Sequence, residues 1–312
     1  MSRERHIIDM GKFLVTGGAG FIGTSLVKEL LSQGHEVVVL DNYSGGKKEE
    51  RIQAGAAYVK GDIRKPEDLN KVCEKGFDGI FHLAALPRVS FSVEHPATTH
   101  ETNVTGTLNV LIAARDHKIK RVIFSSSSSI YGNQEVYPVK EDFSPSPISP
   151  YALHKYIGER YCRLFSDLYG IETACLRYFN VYGPYFDPEG AYALVIGKFL
   201  KQKKEGRPMT VCGDGEYFRD YTYVSDIAAA NILAMNSQKL GKGEVFNIGN
   251  GIPHSVNELV EMIGGDSVFV PERPGDVRFT QADYLKAKEF LNWEPKINLE
   301  EGLKLTKEFY GV

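Results

Sequence analysis

The run Phe13-Leu14-Val15-Thr16 ends in Gly17, Gly18 and Gly20, then opens an amphipathic stretch reaching about Leu31. This junction constrains the fold more than any other part of the chain. A strand entering a helix through glycines turns tightly, and the helix start offers unpaired N–H groups to whatever lies beside it. The strand-then-helix texture continues. Glu36–Asp41 and residues 57–59 read as strands, 68–73 as a helix and 79–83 as a strand. A long helical pattern covers 96–116, and the strand at 121–124 runs straight into five serines. β-branched runs separated by helices predict an α/β fold whose parallel sheet is covered on both faces and doubly wound.

After Tyr178 the texture changes. Pro184, Pro188, Pro208, Pro253, Pro271, Pro274 and Pro295 punctuate shorter elements. We expect a cofactor-binding domain over 1–178 and a smaller C-terminal α/β substrate lobe over 179–312, with segments near 224–250 returning to the first domain. The 312 residues leave room for both. A net charge of −3 gives no reason to expect nucleic acid or an anionic membrane as partner. Met1-Ser2-Arg3-Glu4-Arg5-His6 lacks the apolar core of a signal peptide, and no apolar run approaches membrane-spanning length. Cys73, Cys162, Cys175 and Cys212 are scattered without ligand spacing, so reduced thiols in a cytoplasmic protein and no metal are expected.

Gly18-x-Gly20-x-x-Gly23, with Gly17 before it, follows a strand and opens a helix. That context identifies a Rossmann-like dinucleotide site. Asp41 ends the next strand about twenty residues on, where a carboxylate bonds a ribose hydroxyl and favours NAD over NADP. Lys47 and Lys48 lie nearby, but Asp41 would repel a 2′-phosphate. Gly61-Asp62-Ile63, after the third strand, is placed to reach the adenine.

Tyr151 and Lys155, in "SPYALHKYIGER", stand four residues apart and so share one helix face. A cation there favours a phenolate. Tyr43/Lys47 and Tyr284/Lys288 have the same spacing, so the pair alone proves little. What singles out Tyr151 is the serine strand just before it, delivered to the carboxyl edge of the sheet where ligands sit.

Together, Gly17-x-x-Gly20-x-x-Gly23, Asp41, Asp62-Ile63, Asn103 in "NVTGTLNV", the serine strand and Tyr151-x-x-x-Lys155 resemble an extended short-chain dehydrogenase/reductase of the NAD-dependent epimerase/dehydratase type. The order and spacing hold over nearly the whole chain. The resemblance implies Tyr151 as acid/base, Lys155 bonding the nicotinamide ribose and lowering the tyrosine pKa, and Ser127 bonding the substrate oxygen, with Ser126 as fallback. It assigns the cofactor to Gly17, Gly20, Phe21, Ile22 and Gly23, to Asp41, Asn42, Tyr43, Ser44 and Gly45, and to Asp62 and Ile63. Leu83, Ala84, Ala85, Asn103, Ser125 and Phe179 complete that set.

"LRYFNVYGPYFDPEGAYALVI" is similar to the branch acting on UDP-N-acetylglucosamine. By that likeness Asn180 contacts the diphosphate, Arg219 and Arg273 bind phosphate, Asp276 binds ribose, and Val195 and Thr210 line the substrate pocket. Thr280 occupies a position that is bulky in members restricted to plain hexoses and small in those admitting an N-acetyl group. Dehydratases of the family carry Asp-Glu directly after the catalytic Ser or Thr, and decarboxylases carry Glu two positions after it. This chain has Ser128-Ser129 there. The resemblance therefore implies an NAD-dependent UDP-hexose 4-epimerase working through a transient 4-keto sugar, and a homodimer built on the helices near 96–117 and 150–169. A UDP-glucuronate 4-epimerase, another nucleotide-sugar reductase and an inert NAD-sensing regulator are the competing readings.

Overall fold

The computed structural model describes residues 10–186, 195–272 and 277–312. β1 (Lys12–Thr16), α1 (Phe21–Ser32), β2 (Glu36–Asp41), β3 (Ala57–Lys60), α2 (Pro66–Cys73) and β4 (Gly79–His82) alternate as predicted. α3 (Val89–Glu94) and α4 (Pro96–His100) follow. α4 continues through a π-helical turn at Glu101–Thr105 into α5 (Gly106–Asp116). β5 (Arg121–Ser127) passes through a 3-10 turn at Ser128–Tyr131 and a loop to α6 (Pro150–Tyr169) and β6 (Glu172–Tyr178). Next come β7 (Val181–Tyr182), α7 (Val195–Lys204), β8 (Met209–Cys212), β9 (Phe218–Asp220), β10 (Thr222–Tyr223) and α8 (Val224–Asn236). β11 (Glu244–Ile248), β12 (Pro253–Ser255), α9 (Val256–Ile263), β13 (Ser267–Val270), α10 (Leu285–Leu291) and α11 (Leu299–Tyr310) complete the chain.

The main sheet has seven strands in the order β3-β2-β1-β4-β5-β6-β11. Every pairing in it is parallel. The strand order reverses between β1 and β4, which places a ligand crevice beyond their carboxyl ends. Alternation along the strands divides the core. Val15, Val39 and Leu176 share one buried cluster with residues of α1, α8 and Trp293. Leu14, Val38 and Val122 share another with residues of α2, α5 and α6. With both faces covered, the strands read as continuous apolar runs.

α8 and β11 place the segment near 224–250 in the first core, against α1 and beside β6. A second return was not expected from the sequence: Ala287 and Leu291 of α10 and Trp293 join the same cluster. The buried Trp293 indole donates to the Asp226 carbonyl at 2.9 Å, tying this return to the start of α8. The remaining elements form a smaller lobe around Tyr182, Phe199, Val211, Tyr221, Leu259 and Leu303. Among the described residues no helix is long and apolar enough to cross a membrane.

α6 is specified at both ends. The Ser149 side chain caps it by accepting from the Ala152 N–H, Pro150 occupies the first turn, and Gly170 at φ 69° ends it. Gly158 lets it approach β5 closely. A Cβ there would lie 2.5 Å from the Phe124 ring, so any other residue would push the helix off the strand.

Candidate active site

A cavity of about 1400 Å³ opens beyond the carboxyl ends of the sheet, larger than the ~300–1,000 Å³ usual for a single small ligand. The glycine turn (Gly17, Gly20, Phe21, Ile22 and Gly23) forms one end of its wall. Asp41, Asn42, Tyr43, Ser44, Gly45 and Ile63 stand beside it, and Leu83, Ala84 and Ala85 floor it. Ser125, Ser127, Tyr151 and Lys155 occupy the middle, with Asn180, Arg219 and Thr280 towards the small lobe.

The first end suits a dinucleotide. Gly17 has φ 74°, and a Cβ on it would meet the Ala84 backbone nitrogen at 2.6 Å. α1 has no side-chain cap and no acid in its first turn, so its first N–H groups and dipole are available to an anion. Asp41 accepts from Ala19 N–H at 3.0 Å and Tyr43 N–H at 2.7 Å, binding the glycine turn to the end of β2. Each carboxylate oxygen retains acceptor capacity for a ribose hydroxyl. Lys47 pairs with Glu49 at 3.5 Å. Asp62 is taken up by Arg64 at 2.6 Å and by Asn42, an arrangement that holds its carboxyl down at about 2.

In the middle, the serines of β5 part company. Ser125 Oγ lies 2.9 Å from Tyr178 Oη, which also contacts Asn231. Ser126 Oγ donates to Glu159 at 2.6 Å. Glu159 in turn takes a two-point contact from Arg177 at 2.8 and 2.9 Å, both side chains being buried. Ser127 stands beside the Tyr151 phenol on the cavity wall, where its hydroxyl favours the ionised form. Burial pushes the Tyr151 phenol up to about 12, and the neighbouring Ser127 hydroxyl works against the rise. Lys155 donates to the Ser125 carbonyl at 2.7 Å, and its Nζ lies 4.9 Å from the Phe124 ring centre and 5.9 Å from that of Tyr151. Burial draws this ammonium down to about 8. A phenol, a hydroxyl and an ammonium thus converge beside a dinucleotide-shaped cleft. Such a set can move a proton to and from a substrate hydroxyl.

Towards the small lobe, Thr280 Oγ1 accepts from Asn180 Nδ2 and from the Asp220 N–H, each at 3.2 Å. Asn180 Nδ2 also donates to the Asp220 carbonyl at 2.9 Å, so the amide is braced from inside the protein. The Arg219 guanidinium lies 5.7 Å from the Tyr217 ring centre. Arg273 and Asp276 lie outside the described residues.

Several residues expected at the site stand off this wall. Asn103 is buried and holds both Leu86 N–H and Leu86 C=O, at 2.8 and 3.0 Å, which shapes the loop entering α3. Phe179 packs in a cluster with Tyr131, Val139 and Ala282. Thr210 exchanges two hydrogen bonds with Gln202, both 3.1 Å, and Val195 packs on the small-lobe core. Asp62 is the fifth, for the reason given above. Other wall residues were not foreseen. Arg88, Val89 and Phe91 come from α3 and its approach, and Lys198, Lys201 and Gln202 from α7. The three-residue spacing of Lys198 and Lys201, which puts two cations on one helix face, was the readable signal.

The model of the NAD dependent epimerase/dehydratase family matches residues 13–249. The chain is 38% identical over 308 residues to a UDP-glucose 4-epimerase of Mycolicibacterium smegmatis, covering 95% of this chain and 97% of that protein. The structure of a Thermotoga maritima UDP-glucose 4-epimerase with UDP-glucose superposes with a TM-score of 0.92 at 43% identity, covering 96% of this chain and 98% of that one. A UDP-N-acetylglucosamine 4-epimerase from Methanobrevibacter ruminantium M1, solved with UDP-N-acetylmuramic acid, gives a TM-score of 0.91 at 36% identity, with coverage of 97% and 99%. A glycine turn beside Asp41, a serine and a tyrosine beside a buried lysine in one cavity, and similarity along nearly the full length lead to one conclusion: the chain belongs to the NAD-dependent epimerase/dehydratase family.

Proposed function

We propose that the chain is an NAD-dependent UDP-hexose 4-epimerase, interconverting UDP-glucose with UDP-galactose and their N-acetyl counterparts with each other. The observation that carries this reading is the convergence of Ser127, Tyr151 and Lys155 in the same cavity as the uncapped start of α1. The glycine turn and Asp41 would hold the dinucleotide. Residues 1–178 with the returning segments serve the cofactor, and the small lobe with Arg219 serves the UDP end. Tyr151, as phenolate, takes the proton of the sugar C4 hydroxyl while Ser127 donates to the same oxygen. NAD held there would supply an acceptor and donor for the C4 hydride, and its positive ring would favour the phenolate. The 4-keto sugar turns over between the two events, so the opposite face of C4 is presented for reduction, and Tyr151 gives the proton back to the C4 oxygen. Ser128 and Ser129 stand where elimination or decarboxylation would need a carboxylate.

Purified protein incubated with UDP-glucose, UDP-galactose, their N-acetyl forms and UDP-glucuronate, with products separated by chromatography, tests the reading. Conversion of UDP-glucuronate alone would replace it. Tyr151→Phe is expected to lower turnover by at least about 100-fold with NAD still bound, since only the proton-transfer group is lost. Comparable rates would remove Tyr151 as the acid/base.

Lys155 gives a prediction of opposite signs. Its pKa falls from 10.5 when unfolded to about 8 when folded. The unfolded chain therefore binds the extra proton between those values, stability drops as pH falls from 10.5 to 8, and the loss persists below 8. Lys155→Met should raise cofactor-free stability at pH 7 by about 1–2 kcal/mol in urea unfolding while abolishing turnover and NAD retention. A destabilised variant would mean that the bond to Ser125 outweighs burial.

Thr280 supports acceptance of the N-acetyl group, because a ring there would occupy the volume in which the C2 substituent sweeps. Thr280→Tyr is expected to abolish N-acetylhexose conversion selectively. Thr280→Val, which removes only the brace on Asn180, should affect both substrate pairs alike. Equal effects of Thr280→Tyr on both pairs would refute the gate.

A homodimer is supported by α6, where Leu153, Leu164 and Leu168 are 45%, 46% and 67% exposed at helical spacing along one face. Sedimentation of the parent should give twice the chain mass, and Leu164→Glu should shift it towards monomer. A monomeric parent would overturn this.

A further inference from the structure

Ser127 is the last residue of β5 and also the cap of the turn Ser128–Tyr131. Its Oγ accepts the Ser129 N–H at 3.2 Å and the Ser129 hydroxyl at 2.9 Å. A serine hydroxyl has two lone pairs and one hydrogen. With both lone pairs filled by the same neighbour, the hydrogen is the only hydrogen-bonding function left to Ser127. We propose that Ser129 is a positioning residue: it commits the Ser127 proton to the Tyr151 oxygen and to the C4 oxygen of the substrate.

The direction of that bond decides its effect. A serine accepting from Tyr151 would stabilise the neutral phenol; one donating to it stabilises the phenolate. The same orientation suits a keto oxygen, which can only accept. Ser127 is thereby excluded as a rival proton acceptor for the C4 hydroxyl, leaving that task to Tyr151. The spacing is that of a local turn in which a serine side chain accepts from the backbone two residues on. The turn itself is anchored. Ile130 and Tyr131 are buried, and Tyr131 Oη donates to Asn247 on β11 at 2.6 Å.

This inference rests on the epimerase reading. Ser129 also lines the cavity, so direct contact with substrate is the competing role. Both can be separated with Ser129→Ala, Ser129→Thr, Ser127→Ala and the Ser127→Ala/Ser129→Ala double variant of the NAD-bound enzyme. Ser129→Ala should lower kcat about fivefold at neutral pH, the worth of one ordinary hydrogen bond, with KM and NAD content unchanged. The rising limb of the kcat–pH profile should move up by about 0.7 pH unit, so that the deficit vanishes at high pH. Ser129→Thr should restore both. In the Ser127→Ala background Ser129→Ala should have no further effect, because its target is gone.

A second readout does not depend on turnover. Ultraviolet titration of Tyr151, taken as the difference between each protein and its Tyr151→Phe derivative, should show the phenol of Ser129→Ala titrating at higher pH than the parent. An unmoved limb and an unmoved Tyr151 titration would overturn the proposal. So would a further rate loss from Ser129→Ala in the Ser127→Ala background, which would assign Ser129 to direct substrate contact. If the parent converts no UDP-hexose, the epimerase reading fails, and the Tyr151 titration still decides the role of Ser129.

Discussion

The site depends on how α6 is locked to the sheet, and the lock is a buried charge. Glu159 lies two turns beyond Tyr151 and one beyond Lys155, with its carboxylate shared between Ser126 of β5 and Arg177 of β6. Both charged side chains are 3% exposed. Removing one member of such a pair leaves an uncompensated buried charge, at a cost on the order of 3–5 kcal/mol. The pair therefore fixes the pitch of α6 over β5, while Gly158 fixes the distance. Neither touches the cavity. Both decide where the Tyr151 phenol stands relative to Ser127.

Against that rigid seat, the reactive groups are held in unfavourable surroundings. The Tyr151 phenol is driven up and the Lys155 ammonium down, both by burial. Burial removes water that would otherwise solvate the charged forms, so a neighbouring charge or donor acts strongly there. The Ser127 hydroxyl, oriented by Ser129, is such a donor. Stability is traded for a phenol whose proton responds to what binds beside it.

The second organising feature is chain return. α8 and β11 close one flank of the sheet, and Trp293 reaches back to bond Asp226 at the start of α8. The small lobe is thus threaded between segments of the first core. Asp220, fully buried behind the Asn180 and Thr280 wall, ties the pieces together. Its buried carboxylate accepts from Asn250, Gly251 and Ala282, while its own backbone meets Asn180 and Thr280. Asn180 and Thr280 of the cavity wall are consequently held in one hydrogen-bonded frame with Asn250, Gly251 and Ala282.

Local chemistry was legible along the chain. A glycine turn between strand and helix, a carboxylate at the end of the next strand, and a tyrosine and lysine on one helix face each need only a few neighbouring residues to be recognised. Strand–helix alternation likewise specified the parallel sheet, because covering both faces of such a sheet demands apolar strands. What the linear order left open was which way side chains face once distant segments meet. Five serines in a row look alike in sequence; Glu159 and Tyr178 each claim a different one, from 33 and 53 positions away, and Ser127 is left on the cavity wall with Tyr151. Asn103 and Thr210 carry polar groups that suit a binding site, yet Leu86 and Gln202 had already taken them. The return of α10 and Trp293 was equally invisible, since nothing within that segment names the core it joins. The sequence by itself determined the elements and the candidate reactive groups. The tertiary structure alone decided their partners, because a hydrogen bond is settled by which donor and acceptor packing brings within about 3 Å.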